Sequence, residues 1–225
     1  MKRLFIVRYA RWLPALILLV ASCGTSRQQP ESQPSTLRLP QPPAIASGKP
    51  FTFVVVGDNR GESSGLASPY FSKIVQEIKQ VAPDFVLNTG DMINGYAGED
   101  EAHLRTLWQG YEKAIAPLKT PWFHIPGNHD LFDATSARVW QELLGPAHYT
   151  FDCGDALFIA LDTETERGRL GETQYEWLRG KLAAARNRKV FVFLHQPLFP
   201  VDGHIGSSLD QFPKERDRLH QLFVQ

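Results

Sequence analysis

The chain has 225 residues, of which 43% are hydrophobic and 21% charged, so most of it is expected to fold around a core. Its 24 basic and 24 acidic residues leave no net charge, and no nucleic-acid binding is expected from such a balance. Two cysteines exclude a disulfide-dense scaffold and a cysteine-based zinc module.

Residues 1–22 have the pattern of a signal peptide. A basic start is followed by a short apolar stretch, Trp12 to Val20, which is too short to predict a membrane span. Small residues then precede Cys23, and this run resembles the lipobox of bacterial lipoproteins, in which cleavage frees a cysteine for lipidation. We therefore expect a lipid anchor at Cys23 and a place in the bacterial cell envelope, on its periplasmic or extracellular face. An uncleaved anchor, or an ordinary secretory signal with an incidental cysteine, is the alternative.

Residues 23–50 are rich in Ser, Gln, Thr and Pro. Such a composition cannot bury enough apolar surface to fold, so it predicts a disordered tether between the membrane and the domain. The folded domain is predicted to span residues 51–225. If Cys23 is lipidated, Cys153 has no intramolecular partner and is expected to be a buried free thiol.

From residue 51 onward, apolar runs typical of buried strands alternate with stretches of helical spacing. The pattern predicts a layered α/β domain with a largely mixed sheet. A dinucleotide-binding fold is the alternative, but no Gly-x-Gly-x-x-Gly follows the first strand. Strands are predicted at 51–56, 84–87, 121–125, 149–151, 156–161 and 189–194, and helices at 70–81 (with Pro69 at the start), 101–115, 135–144, 173–185 (with Thr173 as N-cap) and around 219–222.

Four of the predicted strands end in polar clusters. Because ligands gather at the carboxyl ends of strands in α/β sheets, Asp58, Asp91, Asn128 and His195 are expected to converge although they lie far apart in sequence. Converging carboxylates repel one another unless a cation lies between them. Carboxylate, amide and imidazole groups together suit zinc, manganese or iron, and a pair of such ions can hold a phosphoryl group and activate water.

The motifs Gly57-Asp58, Gly90-Asp91, Gly127-Asn128-His129-Asp130 and His195-Gln196-Pro197 resemble those of the calcineurin-like metallophosphoesterase superfamily, over about residues 52–200. The resemblance implies a four-layer α/β/β/α sandwich with two divalent metal ions (Mn, Fe or Zn). Asp58 would bind the first ion, Asp91 would bridge both, and Asn128 and His195 would bind the second. Asn128 and His129 would contact the substrate, His129 as a general acid or phosphate contact. Asp130 would orient His129 by hydrogen bonding.

Two departures from the family pattern bear on the site. Members usually carry His two residues after the first Asp, where this chain has Arg60, which could bind a substrate phosphate or form a surface ion pair. Asn59 and Asn94 are nearby candidates for a substitute metal ligand. The Gly-His-x-His element that closes the family pattern is also missing, and Gly203-His204 comes too early to replace it. The sandwich is therefore expected to be C-terminally incomplete.

The sequence therefore predicts a hydrolase of phosphomonoesters or phosphodiesters that uses a dinuclear metal-activated water and acts on a small phosphorylated substrate. The alternative is a non-catalytic or inactive binding module with the same fold, suggested by Arg60 and the missing histidines. A nucleotide-binding protein without metal is the weaker third hypothesis.

Overall fold

The computed structural model describes residues 35–201, 205–206 and 208–224. The predicted signal peptide, Cys23 and the Gly203-His204 pair lie outside these residues. No helix within the described ranges is long and apolar enough to cross a lipid bilayer.

Each predicted strand and helix is present, with ends within two residues of the predictions, except that the last helix begins at Pro213, six residues earlier than expected. The strands are β1 (Phe53–Val56), β2 (Phe85–Asn88), β3 (Trp122–His124), β4 (Tyr149–Cys153), β5 (Ala156–Ala160) and β6 (Lys189–Phe193). The helices are α1 (Pro69–Val81), α2 (Glu101–Ile115), α3 (Ala134–Leu143), α4 (Glu172–Ala184) and α5 (Pro213–Phe223).

The N-cap predicted for α4 is wrong. The helix begins one residue earlier than expected, and its N-cap is Gly171, with φ of 72° and no side-chain hydrogen bond to the first turn. Glycine adopts this left-handed backbone without steric cost, so the chain turns into the helix there and Thr173 lies inside the first turn.

The strands form two sheets of three strands each. The first has the order β1-β2-β3 and is parallel throughout. In the second, of order β4-β5-β6, β4 and β5 form an antiparallel hairpin and β6 runs parallel to β5. The largely mixed sheet expected from the strand pattern is thus one parallel sheet and one mixed sheet.

A layer of phenylalanine rings fills the space between the two sheets. Side chains alternate along a strand, so Phe85 and Leu87 of β2 face this layer while Val86 faces the helices of the other side. The Phe123 and Phe151 rings stack with centroids 3.8 Å apart. Eight phenylalanines contribute to the layer: Phe51, Phe53, Phe85, Phe123, Phe151, Phe158, Phe191 and Phe193.

Helices cover the outer face of each sheet, which completes the four-layer α/β/β/α sandwich. Helices α1, α2 and α3 pack on the first sheet and bury a core that includes Trp108 and Trp140. Helix α2 forms there because Asp100 caps it, accepting from the His103 N–H at 2.9 Å, and because its apolar side chains fall on one stripe. Helices α4 and α5 cover the second sheet.

Residues 35–50, predicted to be part of a disordered tether, instead lie against the domain as an N-terminal strap. The Leu37 side chain is 1% exposed and joins the core beneath α2. Thr36 N donates to Glu112 Oε1 at 2.8 Å, and Gly48 N donates to Asp155 Oδ2 at 2.8 Å. Prolines restrict this segment before it docks, so little conformational entropy is lost when its apolar side chains are buried.

Candidate metal centre

Loops at the ends of four strands carry the side chains that the sequence predicts to meet. Asp58, Asp91 and Asn128 follow β1, β2 and β3, whose parallel order brings their carboxyl ends to one edge of the first sheet. His195 follows β6 and comes from the second sheet. Ligand atoms of Asp58, Asp91 and His195 lie within 4.8 Å of one another, and Asn128 Oδ1 is 3.2 Å from His195 Nε2.

The backbone of these loops is tightly folded. Asp58 and Asp91 have φ of 52° and 57°, in the left-handed region that side chains other than glycine rarely adopt. Such strain is found where the surrounding structure fixes a functional loop. A Cβ atom on Gly90 would lie 2.6 Å from His195 Nδ1, and one on Gly127 would lie 2.3 Å from Asp91 Oδ1. Both glycines are therefore required for the loops to approach this closely.

Three hydrogen-bond acceptors face one another at the centre. His195 Nδ1 lies 2.9 Å from the Thr89 carbonyl oxygen, so Nδ1 carries the proton and donates it, which leaves a lone pair on Nε2. That Nε2 lies 3.2 Å from Asn128 Oδ1 and 3.5 Å from Asp91 Oδ1. Acceptors that converge in this way are favourable only around a cation, and this donor set suits a divalent metal ion. The residues present therefore fit such an ion.

Asp130 does not orient His129, and that prediction is wrong. Its carboxylate is fully buried and binds backbone N–H groups instead of the imidazole, thereby fixing the Asp91 loop to the Asn128 loop. Burial raises the pKa of Asp130 to about 7, the Asp91 charge adds to the shift, and the N–H donors oppose it. The four donors are Asp91 N (2.7 Å) and Gly127 N (2.9 Å) to Oδ2, and Met92 N (2.9 Å) and Ile93 N (3.1 Å) to Oδ1.

His129 is held by other groups. Its Nδ1 lies 3.0 Å from the Gly95 carbonyl oxygen, and its Nε2 lies 2.5 Å from Arg60 Nη1. These contacts place the imidazole proton on Nδ1, which donates to Gly95, and leave Nε2 to accept from the guanidinium. The Tyr96 ring meets the imidazole edge to face, with centroids 4.9 Å apart. His129 therefore stands at the centre with its orientation set by its neighbours.

The substitute ligands suggested by the sequence are bound elsewhere. Asn59 Oδ1 accepts from Asn88 Nδ2 at 2.7 Å, and Asn94 Oδ1 accepts from the Tyr96 hydroxyl at 2.9 Å. Asn88, which the sequence reasoning missed, is fully buried, and its Oδ1 accepts from Gly90 N at 3.1 Å. An amide at the end of an apolar strand was the available signal, because a buried amide needs partners.

The centre opens into a cleft of about 860 Å³, a size that suits a small ligand. Arg60, His129, Glu164 and Arg167 line it together with the converging side chains. Glu164 is 6% exposed, and burial raises its pKa. Sequence reasoning missed Glu164 and Arg167, since neither belongs to a motif, although the acidic run after β5 marks a strand end of the same kind.

This sandwich, with polar loops at the strand ends, is the fold of a metallophosphoesterase. The chain belongs to the calcineurin-like phosphoesterase family, whose sequence model matches residues 46–220. The family that the sequence resembles is thereby confirmed.

Individual relatives support the same family. The chain is similar to a 3',5'-cyclic adenosine monophosphate phosphodiesterase of Escherichia coli K12, with 29% identity over 121 residues, 52% of this chain and 42% of the relative. It is also similar to human tartrate-resistant acid phosphatase type 5, with 25% identity over 203 residues, 72% of this chain and 61% of the relative. The chain thus spans about half the length of these curated relatives.

Solved structures share the fold. A purple acid phosphatase from yellow lupin has a TM-score of 0.56 and 19% identity, covering 77% of this chain and 35% of that one. A dimetal phosphatase from Danio rerio has a TM-score of 0.57 and 13% identity, covering 77% of both chains. Both structures therefore show that this chain has the fold of known phosphatases.

Proposed function

We propose that this chain hydrolyses small phosphate esters, either phosphomonoesters or phosphodiesters, with the help of a divalent metal ion. One observation carries the proposal: the acceptor atoms of Asp91, Asn128 and His195 converge at the cleft. Among the described residues, the His129 N–H is the one backbone donor that reaches them, and it binds Asp91 Oδ1. Similarity to a phosphodiesterase and to an acid phosphatase supports both ester classes.

The converging side chains would hold an ion of manganese, iron or zinc. Asp91, Asn128 and His195 would supply ligands of such an ion, and the Asp58 carboxylate lies beside them. When bound, such an ion polarises a phosphoryl oxygen and lowers the pKa of a coordinated water.

The remaining residues would bind the substrate and move protons. Arg60 offers a guanidinium to the phosphoryl oxygens, and the Asn128 amide offers an N–H group beside it. His129 keeps its Nδ1 proton on the Gly95 carbonyl, which fixes the ring with Nε2 toward Arg60. Once Arg60 turns to the phosphoryl oxygens, Nε2 is free to contact the phosphate or, when protonated, to donate to the leaving-group oxygen.

The test is hydrolysis of p-nitrophenyl phosphate and bis(p-nitrophenyl) phosphate by the purified chain in the presence of Mn²⁺. We expect turnover that EDTA abolishes and that Asp91→Asn lowers by about 100-fold or more, since a ligand to the ion is lost. The matched control is Asp217→Asn on an exposed part of α5, which should keep full activity. Turnover unaffected by EDTA and by Asp91→Asn would refute the proposal.

The alternative function is a non-catalytic binding module of the same fold. Arg60 in the place of a usual metal ligand favours it. An ion bound by the wild-type chain without turnover of either ester, together with binding of inorganic phosphate, would establish this alternative.

We also propose that Cys23 carries a lipid that anchors the protein in the bacterial envelope. The basic start, the short apolar stretch and the small residues before Cys23 support it. Labelled palmitate should be incorporated by the wild type and lost in Cys23→Ser, whereas Cys153→Ser should keep the label. Equal labelling of wild type and Cys23→Ser would refute the anchor.

A further inference from the structure

Arg60 lies where the family pattern places a metal ligand, and its contacts are those of a cation. Its Nε is 3.5 Å from Asp91 Oδ2, and its Nη1 is 2.5 Å from His129 Nε2. The side chain is 39% exposed and faces the cleft. A guanidinium has no lone pair, so it cannot replace the imidazole as a ligand, but it brings a positive charge to the same place.

The two oxygens of Asp91 face different groups. Oδ1 lies 3.5 Å from His195 Nε2 and also accepts from His129 N at 3.0 Å. Oδ2 lies on the Arg60 side. The family resemblance predicts that Asp91 bridges two metal ions. Here, however, its Oδ1 lies next to His195, a predicted metal ligand, and its Oδ2 lies next to the fixed positive charge of Arg60.

The Arg60 side of Asp91 offers few groups to a second ion. The oxygens of Asn59 and Asn94 are taken by hydrogen bonds, and the Asp130 carboxylate is taken by backbone N–H groups. Among the described residues, Asp58 is therefore the carboxylate near Asp91 that is left to bind an ion. A second divalent ion there would have two carboxylates and would be repelled by the neighbouring guanidinium.

We infer that Arg60 is a built-in cation of the centre, so that this chain holds one divalent metal ion, with the guanidinium in the place of the second. The inference rests on the proposed function and deepens it. A phosphate ester would lie between the ion and Arg60, which can bind two phosphoryl oxygens at once. Arg60 thereby contacts the substrate and also limits the number of ions.

The experiment counts Mn²⁺ bound by the full chain, purified in detergent, using calorimetry, elemental analysis and electron paramagnetic resonance. We expect one ion per wild-type chain with the spectrum of isolated Mn²⁺. Arg60→His supplies an imidazole and removes the charge, so we expect two ions and a spin-coupled spectrum. Arg138→His, at an exposed arginine on α3, is the matched control and should bind one ion.

Each outcome decides the inference. Two ions in the wild type overturn it and leave the proposed function standing, while no ion overturns both. A single ion in folded Arg60→His also overturns it, because Arg60 then does not exclude the second. If Arg60→His does not fold, the wild-type count alone decides. Absence of ester hydrolysis by a chain that holds one ion refutes the proposed function and leaves the inference intact.

Discussion

The carboxylate of Asp130 offers the sharpest test of how the centre is built. In Asp130→Ala, four buried backbone N–H groups lose their acceptor at once. A buried unsatisfied donor costs about 1–3 kcal/mol, so even the lower end gives about 4 kcal/mol. Burial of the carboxylate, which raises its pKa to about 7, is relieved in the variant and offsets part of this loss. We expect the free energy of unfolding to fall by about 2–4 kcal/mol, a large share of the stability of a typical domain.

The assay is equilibrium unfolding in urea, followed by the fluorescence of the buried tryptophans. EDTA is included so that metal binding does not add to the stability. Asp133→Ala is the comparison, since Asp133 caps α3 at a half-buried position where water can replace it, and its loss should cost about 1 kcal/mol. If Asp130→Ala loses no more than Asp133→Ala, the four N–H bonds do not stabilise the loops as argued.

Three further predictions concern Gly127, His124 and Glu112. Gly127→Ala should weaken Mn²⁺ binding about 10-fold or more in calorimetry, because the added Cβ would lie 2.4 Å from Asp91 N. The control is Gly180→Ala in α4, where no other atom lies within 4 Å of the added Cβ, and it should leave Mn²⁺ binding unchanged. Burial lowers the pKa of His124 to about 3. The unfolded chain therefore takes up a proton near pH 6.5 that the folded chain does not, and stability falls as the pH drops from about 6.5 toward 3, by about 2 kcal/mol at pH 5. Urea unfolding at pH 7.5 and pH 5 should show this loss in the wild type and a smaller loss in His124→Phe; equal losses would contradict it. Glu112→Ala should release the strap, because Glu112 accepts from Thr36 N, and should therefore speed limited proteolysis within residues 35–50. Glu77→Ala, on the exposed side of α1, should leave the cleavage rate unchanged. Equal cleavage rates in the two variants would contradict the anchoring of the strap by Glu112.

Local signals in the sequence were sufficient to predict the helices, the strands and the polar residues that follow the strands. Pro69 opens α1 as predicted, with Ser68 capping it, and the apolar stripe of α2 defined both of its ends. The meeting of Asp58, Asp91 and Asn128 followed from parallel strands that end at one edge. The division into two sheets depends on pairings between distant strands, which the alternation of residues does not encode, and it was implied instead by the family resemblance.

The wrong predictions share a physical cause: the groups that these residues contact have no recognisable sequence pattern. Asp130 binds backbone N–H groups, and every residue other than proline has one. The strap was judged by its prolines and polar residues, but Leu37, Leu39 and Ile45 were enough to dock it on the cores. Gly171 starts α4 through its backbone conformation, so the more familiar threonine nearby misled the prediction.

The centre draws its side chains from both sheets, which meet through a stack of aromatic rings. Asp58, Asp91 and Asn128 move with one sheet and His195 moves with the other, so the spacing of His195 from its neighbours depends on how the rings between the sheets pack. A smaller side chain at Phe158 would shift one sheet relative to the other. Evolution could therefore tune the affinity for the ion from the interior, with every residue of the motifs unchanged.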